Sequence, residues 1–216
     1  MLKEDRETGM DELIQKFKAQ GIKGEVQGIT AQGSPSAVIK EFAEREGIEL
    51  IVMGTTGKGR LEGTVLGSTA FNVSRNVTIP LILVPGSCDE LVFDQIVYAA
   101  DLNFSASLES MKPLLTLAKQ FDGSLEVLHI QRSKDKQVDL EALKLDVLFR
   151  GIEVKFSIVE SEDIAQGILD HLNYEGDDIV CILTQERNAL SRLFHRSVSK
   201  GVASKASIPV LLLGPQ

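Results

Sequence analysis

Apolar residues along this chain fall into two alternating rhythms. Gln95-Ile96-Val97-Tyr98-Ala99-Ala100 is a continuous apolar run closed by Asp101, the pattern of a strand buried on both faces. Ala106 to Phe121 then repeats its apolar positions at helical spacing, and Gly123 ends it. Leu125 to Ile130 reads as a second strand, and the polar stretch 131–138 leads into a helix at about 138–149. A strand at 152–159, a helix from Ser161 to about Tyr174, a strand at 178–183, a helix at about 196–206 and a strand at 209–213 complete the second half. The first half follows the same rhythm. It has an amphipathic helix through Asp11, Leu13, Ile14 and Phe17, a strand at 24–30, a helix from Ser34 to about Arg45, a strand at 49–53, a helix at about 67–77 and a strand at 81–84. Ser34-Pro35 supplies a helix start, Ser at the N-cap and Pro at the first helical position. Strands alternating with helices predict a parallel α/β sheet.

The shared rhythm is an internal repeat, ungapped at an offset of 129 residues. Glu46-Gly47-Ile48-Glu49-Leu50-Ile51-Val52 aligns with Glu175-Gly176-Asp177-Asp178-Ile179-Val180-Cys181, and Ile79-Pro80-Leu81-Ile82-Leu83 with Ile208-Pro209-Val210-Leu211-Leu212. Two units are therefore expected, 1–87 and 88–216, joined at the turn-rich Pro85-Gly86-Ser87-Cys88-Asp89-Glu90. The second is complete. The first has no counterpart of residues 94–130, a strand, a helix and a strand.

Composition narrows the classes. Of 216 residues 43% are hydrophobic, enough for a core. The net charge of −8 argues against a nucleic-acid partner, since phosphate neutralisation needs a basic surface. That charge is unevenly placed: residues 1–86 hold 10 basic and 11 acidic side chains, residues 87–216 hold 13 and 20. Two cysteines, Cys88 and Cys181, make no disulfide framework, and Cys181 within Ile179–Leu183 reads as a small buried hydrophobe. The three histidines show no metal-ligand spacing. No apolar run has the length of a membrane span, and Met1–Arg6 lacks a signal-peptide apolar region, so a soluble, reduced, cytoplasmic setting is expected.

Candidate chemistry sits after the strand at 49–53, in Gly54-Thr55-Thr56-Gly57-Lys58-Gly59-Arg60-Leu61-Glu62-Gly63-Thr64-Val65-Leu66-Gly67-Ser68-Thr69. Ligands of open α/β sheets bind at the carboxyl ends of the strands, where Gly54, Thr55 and Gly57 lie. Gly67 and Ser68 open the next helix, whose N-terminus offers free N–H groups and a favourable dipole to phosphate; Ser68 and Thr69 add hydroxyls, Lys58 and Arg60 charge. The sequence is not a Gly-x4-Gly-Lys-[Ser/Thr] loop. A glycine-rich connector, with Ser68 as a helix cap, is the plainer reading of the same residues.

The pattern Gly54-x2-Gly57-x9-Gly67-Ser68 resembles the ATP-binding motif of the universal stress protein family. Ile48–Gly54 is similar to that family's fourth-strand segment, Gly33–Ile39 to its third helix, and Asn76–Pro85 to its closing strand. The resemblance implies a doubly wound, Rossmann-like parallel sheet of order 3-2-1-4-5, akin to the adenine nucleotide alpha hydrolases. It also implies an adenine nucleotide, ATP with or without Mg, held through Gly54, Gly57, Gly67 and Ser68 with Thr55 and Thr69 beside them, and a homodimer paired through last strands, available at 81–84 and 209–213. The strand-one Asp that such proteins use at the adenine end matches Asp101 in the second copy and has no counterpart in the first; a solvated strand-end carboxylate is the simpler role for Asp101.

The second copy has lost the pattern: Leu183, Glu186 and Arg196 replace Gly54, Gly57 and Gly67, and only Ser197 survives. Its Arg187, Arg192, His195, Arg196, Lys200 and Lys205 form a basic cluster, either a solvated helix face or an anion contact. No catalytic triad, metal cluster or carboxylate pair stands near the first loop. The expectation is a stress-response nucleotide-binding module, with a weak ATPase or a non-binding dimerisation scaffold as alternatives. The strands at 24–30 and 49–53 would not be neighbours in the implied order, so unpaired edges are expected, completed by an N-terminal segment or another chain.

Overall fold

The computed structural model describes residues 4–22, 24–55, 66–102, 108–135, 149–172, 176–183 and 189–214. In chain order these form α1 (Glu4–Ala19), α2 (Pro35–Arg45), β1 (Ile51–Gly54), α3 (Ser68–Asn76), β2 (Leu81–Val84), β3 (Gln95–Ala99), α4 (Leu108–Gln120), β4 (Ser124–Gln131), β5 (Val154–Glu160), α5 (Ile164–His171), β6 (Ile179–Leu183), α6 (Ala189–Lys205) and β7 (Val210–Leu213). The helix expected at 138–149 falls almost wholly outside the described residues.

All seven strands join one sheet, in the order β1-β2-β7-β6-β3-β4-β5. Every neighbouring pair is parallel except β2 with β7. The second copy alone reads β5-β4-β3-β6-β7, the 3-2-1-4-5 order of a doubly wound unit, and β1–β2 extends it. Helices cover both faces, as parallel strands require. On one face, Ala70 and Val73 of α3, Ile168 and Leu169 of α5, and Val202 and Ala203 of α6 pack with Leu81, Leu83, Val97, Val180 and Val210. On the other, Met111, Leu114 and Ala118 of α4 pack with Ile82, Tyr98, Cys181 and Leu211.

The antiparallel seam carries a pseudo-two-fold axis. Its register pairs Leu81 with Leu212, Ile82 with Leu211 and Leu83 with Val210. Residues 82 and 211 are equivalent at the 129-residue offset, so the axis runs through the Ile82–Leu211 pair. Across the same axis the Lys200 ammonium lies 4.9 Å from the centre of the Phe71 ring, and 71 and 200 are again equivalent positions. The last-strand pairing that the resemblance attributed to a homodimer thus occurs within one chain.

Two local expectations are corrected, and the Ser34 N-cap is borne out with a different bonding. Residues 24–30 belong to no ladder. Their counterpart β5 pairs with β4, and among the described residues the first copy has no strand of that kind to offer. Instead α1 rests on this stretch, with Met10 and Ile14 so close over Gly28 that a Cβ there would overlap them. Ser34 does occupy the α2 N-cap, but its hydroxyl makes no cap bond; its carbonyl accepts from Ala37 (3.1 Å) and Val38 (3.0 Å). Gly123 does not turn the chain at the end of α4, since Asp122 takes the left-handed φ of 54°. Gly123 is needed for space, because a Cβ would overlap the Phe93 carbonyl oxygen.

Candidate functional site

The base of the glycine loop is closed by two backbone bonds. Thr55 N–H donates to the Val84 carbonyl (2.9 Å), continuing the parallel ladder one residue past β1. The Thr55 carbonyl accepts from Gly67 N–H (2.7 Å). The end of β1 and the start of α3 are therefore held together. Leu66, buried with Ala70 and Val73 in the core, anchors the downstream end.

Gly67 is the α3 N-cap, with extended backbone (φ −60°, ψ 149°) and no side chain to satisfy the first N–H groups. This corrects the capping role considered for Ser68, which is the first residue inside the helix. Ser68 is exposed and Thr69 half-buried. The first turn holds no acidic residue. Among the described residues the first-turn amides of α3 have no capping side chain, and with the positive end of the helix dipole and two hydroxyls beside a strand end they make a chemistry suited to an anion. The structure thus groups Gly54, Thr55, Gly67, Ser68 and Thr69. Gly57, Lys58, Arg60 and Glu62 lie outside the described residues. Sequence reasoning did not single out Val84 or Leu66, whose signal was only the β1–β2 pairing and an apolar residue before Gly67.

The second copy is built differently at this place. α6 begins at Ala189, seven residues before Arg196, the counterpart of Gly67, and not at about 196 as the sequence suggested. With arginine in place of glycine and no break in 189–196, the helix runs straight through. Ser197 consequently sits inside a helix, and the N–H groups that Ser68 and Thr69 leave free are spent there on intrahelical bonds. Leu183, in the place of Gly54, is buried. Within the basic cluster, Lys200 is engaged with Phe71, Lys205 is exposed, and Arg187 lies outside the described residues.

A cleft of about 430 Å³ opens at the carboxyl ends of β4 and β5, lined by Gln131, Arg132, Ser133, Asp135, Glu160, Ser161 and Glu162. Three of its charged groups are engaged within it. Arg132 forms a fork with Asp135 (2.8 and 3.0 Å), and Ser133 donates both its N–H and its hydroxyl to Glu162. Nearby, His129 is buried with Nδ1 3.0 Å from the Ala100 carbonyl, and Asp101 is half-buried at the end of β3. Among the described residues no group of three or more His, Cys, Asp or Glu could hold a metal, and no helix is long and apolar enough to cross a membrane.

An open, mostly parallel sheet with helices on both faces and a loop at a strand's carboxyl end defines a doubly wound, Rossmann-like α/β protein, here as a tandem with an incomplete first unit. The chain belongs to the universal stress protein family, whose model matches residues 1–85 and 131–214. It is 37% identical over 84 residues to universal stress protein MJ0531 of Methanocaldococcus jannaschii, covering 39% of this chain and 48% of that protein. It is 32% identical over 83 residues to universal stress protein MJ0577 of the same organism, covering 38% and 50%. The chain thus spans about half the length of the curated relatives it matches. Among solved structures, a universal stress protein from Archaeoglobus fulgidus superposes with a TM-score of 0.73 at 22% identity, covering 98% of this chain and 77% of that one.

Proposed function

We propose that this chain is an adenine-nucleotide-binding module acting in a stress response, with ATP or a related nucleotide held at the first-copy loop through Gly54, Thr55, Gly57, Gly67, Ser68 and Thr69. The observation that carries this reading is the Thr55–Gly67 bond of 2.7 Å. It brings the strand end to the start of α3, so that the first amides of that helix lie beside the strand end, a place where phosphate oxygens are favoured. Family membership supports the stress-response role. The near-neutral charge of the first half supports a phosphate ligand there.

The second copy acts as scaffold. It supplies the seam strand β7 against which β2 is paired, and its own loop has exchanged glycine for leucine, glutamate and arginine. Mass spectrometry of material released from the denatured purified protein should detect a carried adenine nucleotide. Added Mg-ATP should raise the melting temperature, since a ligand at about 100 times its Kd stabilises by about 2.7 kcal/mol. Absence of both a carried nucleotide and a thermal shift would overturn the reading in favour of a purely structural module.

A further inference from the structure

α3 of the first copy and α6 of the second lie on one face of the sheet and meet across the pseudo-two-fold axis at Phe71 and Lys200. In a chain with 31 acidic residues, neither helix carries one. Over these two helices the sequence instead places Arg75, Arg192, Arg196, Lys200 and Lys205. The second copy belongs to the acidic half, with 13 basic and 20 acidic side chains in residues 87–216, so its positive helix is set against its own surroundings.

The contact at the axis brings that charge to the candidate loop. Phe71 N–H donates to the Gly67 carbonyl (2.9 Å), the bond that closes the first turn of α3. Helical side chains lean toward the N-terminus of their own helix, which lays the Phe71 ring over the turn opened by Gly67. The Lys200 ammonium lies 4.9 Å from the centre of that ring and the Arg75 guanidinium 5.4 Å. Among the described residues neither cation pairs with a carboxylate. One helical turn is about 5.4 Å, so Lys200 stands from the α3 N-terminus at a range comparable with the screening length of about 10 Å at 0.1 M salt. Residues 71 and 200 are equivalent in the repeat, and two lysines there would repel. Phenylalanine in one copy lets the lysine of the other approach.

We propose that Lys200, a residue of the second copy, supplies a cation to the anion site of the first: held on the Phe71 ring across the seam, it strengthens binding of phosphate groups at the start of α3. The proposal rests on the nucleotide reading of the loop and adds to it a residue outside the Gly54–Thr69 pattern. The α3 amides and dipole hold the anion, and Lys200 adds attraction through space that salt weakens. The copy that has lost the glycine pattern thereby takes part in the site of the copy that keeps it.

The test is isothermal titration of ATP into the parent chain, Lys200→Gln, Lys200→Glu, Lys200→Arg and Lys119→Gln. Lys119 lies in the last turn of α4, which packs on the opposite face of the sheet, so its loss changes net charge alone. At 0.1 M salt Lys200→Gln should weaken binding about 2- to 5-fold, and the charge reversal in Lys200→Glu about 4- to 25-fold. Lys200→Arg and Lys119→Gln should stay within about 1.5-fold of the parent. At 1 M salt, where the screening length is about 3 Å, the losses at Lys200 should shrink to less than about 1.5-fold. Urea unfolding certifies that each variant is folded. Parent binding that Lys200→Glu leaves unchanged would overturn the proposal and leave the nucleotide reading standing. So would equal weakening by Lys119→Gln, which would assign the effect to net charge, or a loss that persists at 1 M salt, which would assign it to packing. No binding by the parent would overturn both.

Discussion

Val52, Ile82 and Leu211 lie in register across three adjacent strands and share one face of the sheet. Their exposures are 53%, 0% and 0%. Ile82→Ala removes three carbons at the pseudo-two-fold seam, where close packing leaves little scope for collapse, so it should cost about 2–5 kcal/mol. Val52→Ala, one strand away in the same row, removes two carbons from a half-open site and should cost less than about 1 kcal/mol. Against the 5–15 kcal/mol of a typical domain, the first loss is a large fraction and the second is minor. Urea unfolding at fixed temperature measures both, with the slope checked so that midpoint shifts report stability. Leu211→Ala completes a double-mutant cycle with Ile82→Ala, and direct partners across the seam should show a coupling of about 0.5–3 kcal/mol. The reasoning fails if Ile82→Ala stays within about 0.5 kcal/mol of the parent, or if Val52→Ala costs as much as Ile82→Ala.

Glu126 accepts from Lys155 (3.2 Å) and His171 (2.9 Å), tying β4 to β5 and to the end of α5. Burial works to raise its pKa, but hydrogen bonds from Ser157, His171 and Lys155 and the charge of His171 prevail and hold it below the usual glutamate range. A lowered folded-state pKa gives stability that is present above the unfolded value and lost as pH falls through the acidic range. Glu126→Gln should therefore cost about 0.5–1 kcal/mol at pH 7, and that deficit should vanish in melts below about pH 4. Complete burial raises the Cys181 thiol pKa, so thiol reagents should modify the half-exposed Cys88 in the native protein and reach Cys181 only on unfolding. Gly123→Ala forces a methyl onto the Phe93 carbonyl and should cost about 1–3 kcal/mol by chemical denaturation.

Most of the α/β alternation was legible because buried parallel strands read as short apolar runs such as Ile179–Leu183, and amphipathic helices as spaced ones. The repeat carries further still: Ile51 N–H and Val180 N–H, equivalent at the 129-residue offset, make the same bond, to the carbonyls of Pro80 and Pro209. The stretch 24–30 misled because a strand needs a partner, and the strand-like run Glu25–Ile29 holds no information on whether one exists. The start of α6 misled for the opposite reason. Equivalence to Gly67 placed it at 196, but without a glycine the local propensity of 189–196 extended the helix. At the candidate site, Gly67 and Ser68 were legible as a helix start, while the bond from Gly67 to the Thr55 carbonyl required the fold to bring residues twelve apart together.

The central claim concerns Gly67. It caps α3 without a side chain and closes the loop onto Thr55, and its counterpart in the copy that has lost the pattern is arginine. Isothermal titration of ATP into the parent chain and into Gly67→Arg, with circular dichroism confirming that both are folded, tests this most directly. Saturable binding by the parent at one site per chain, lost in Gly67→Arg, is the predicted result. Equal binding by both chains, or none by the parent, would contradict it.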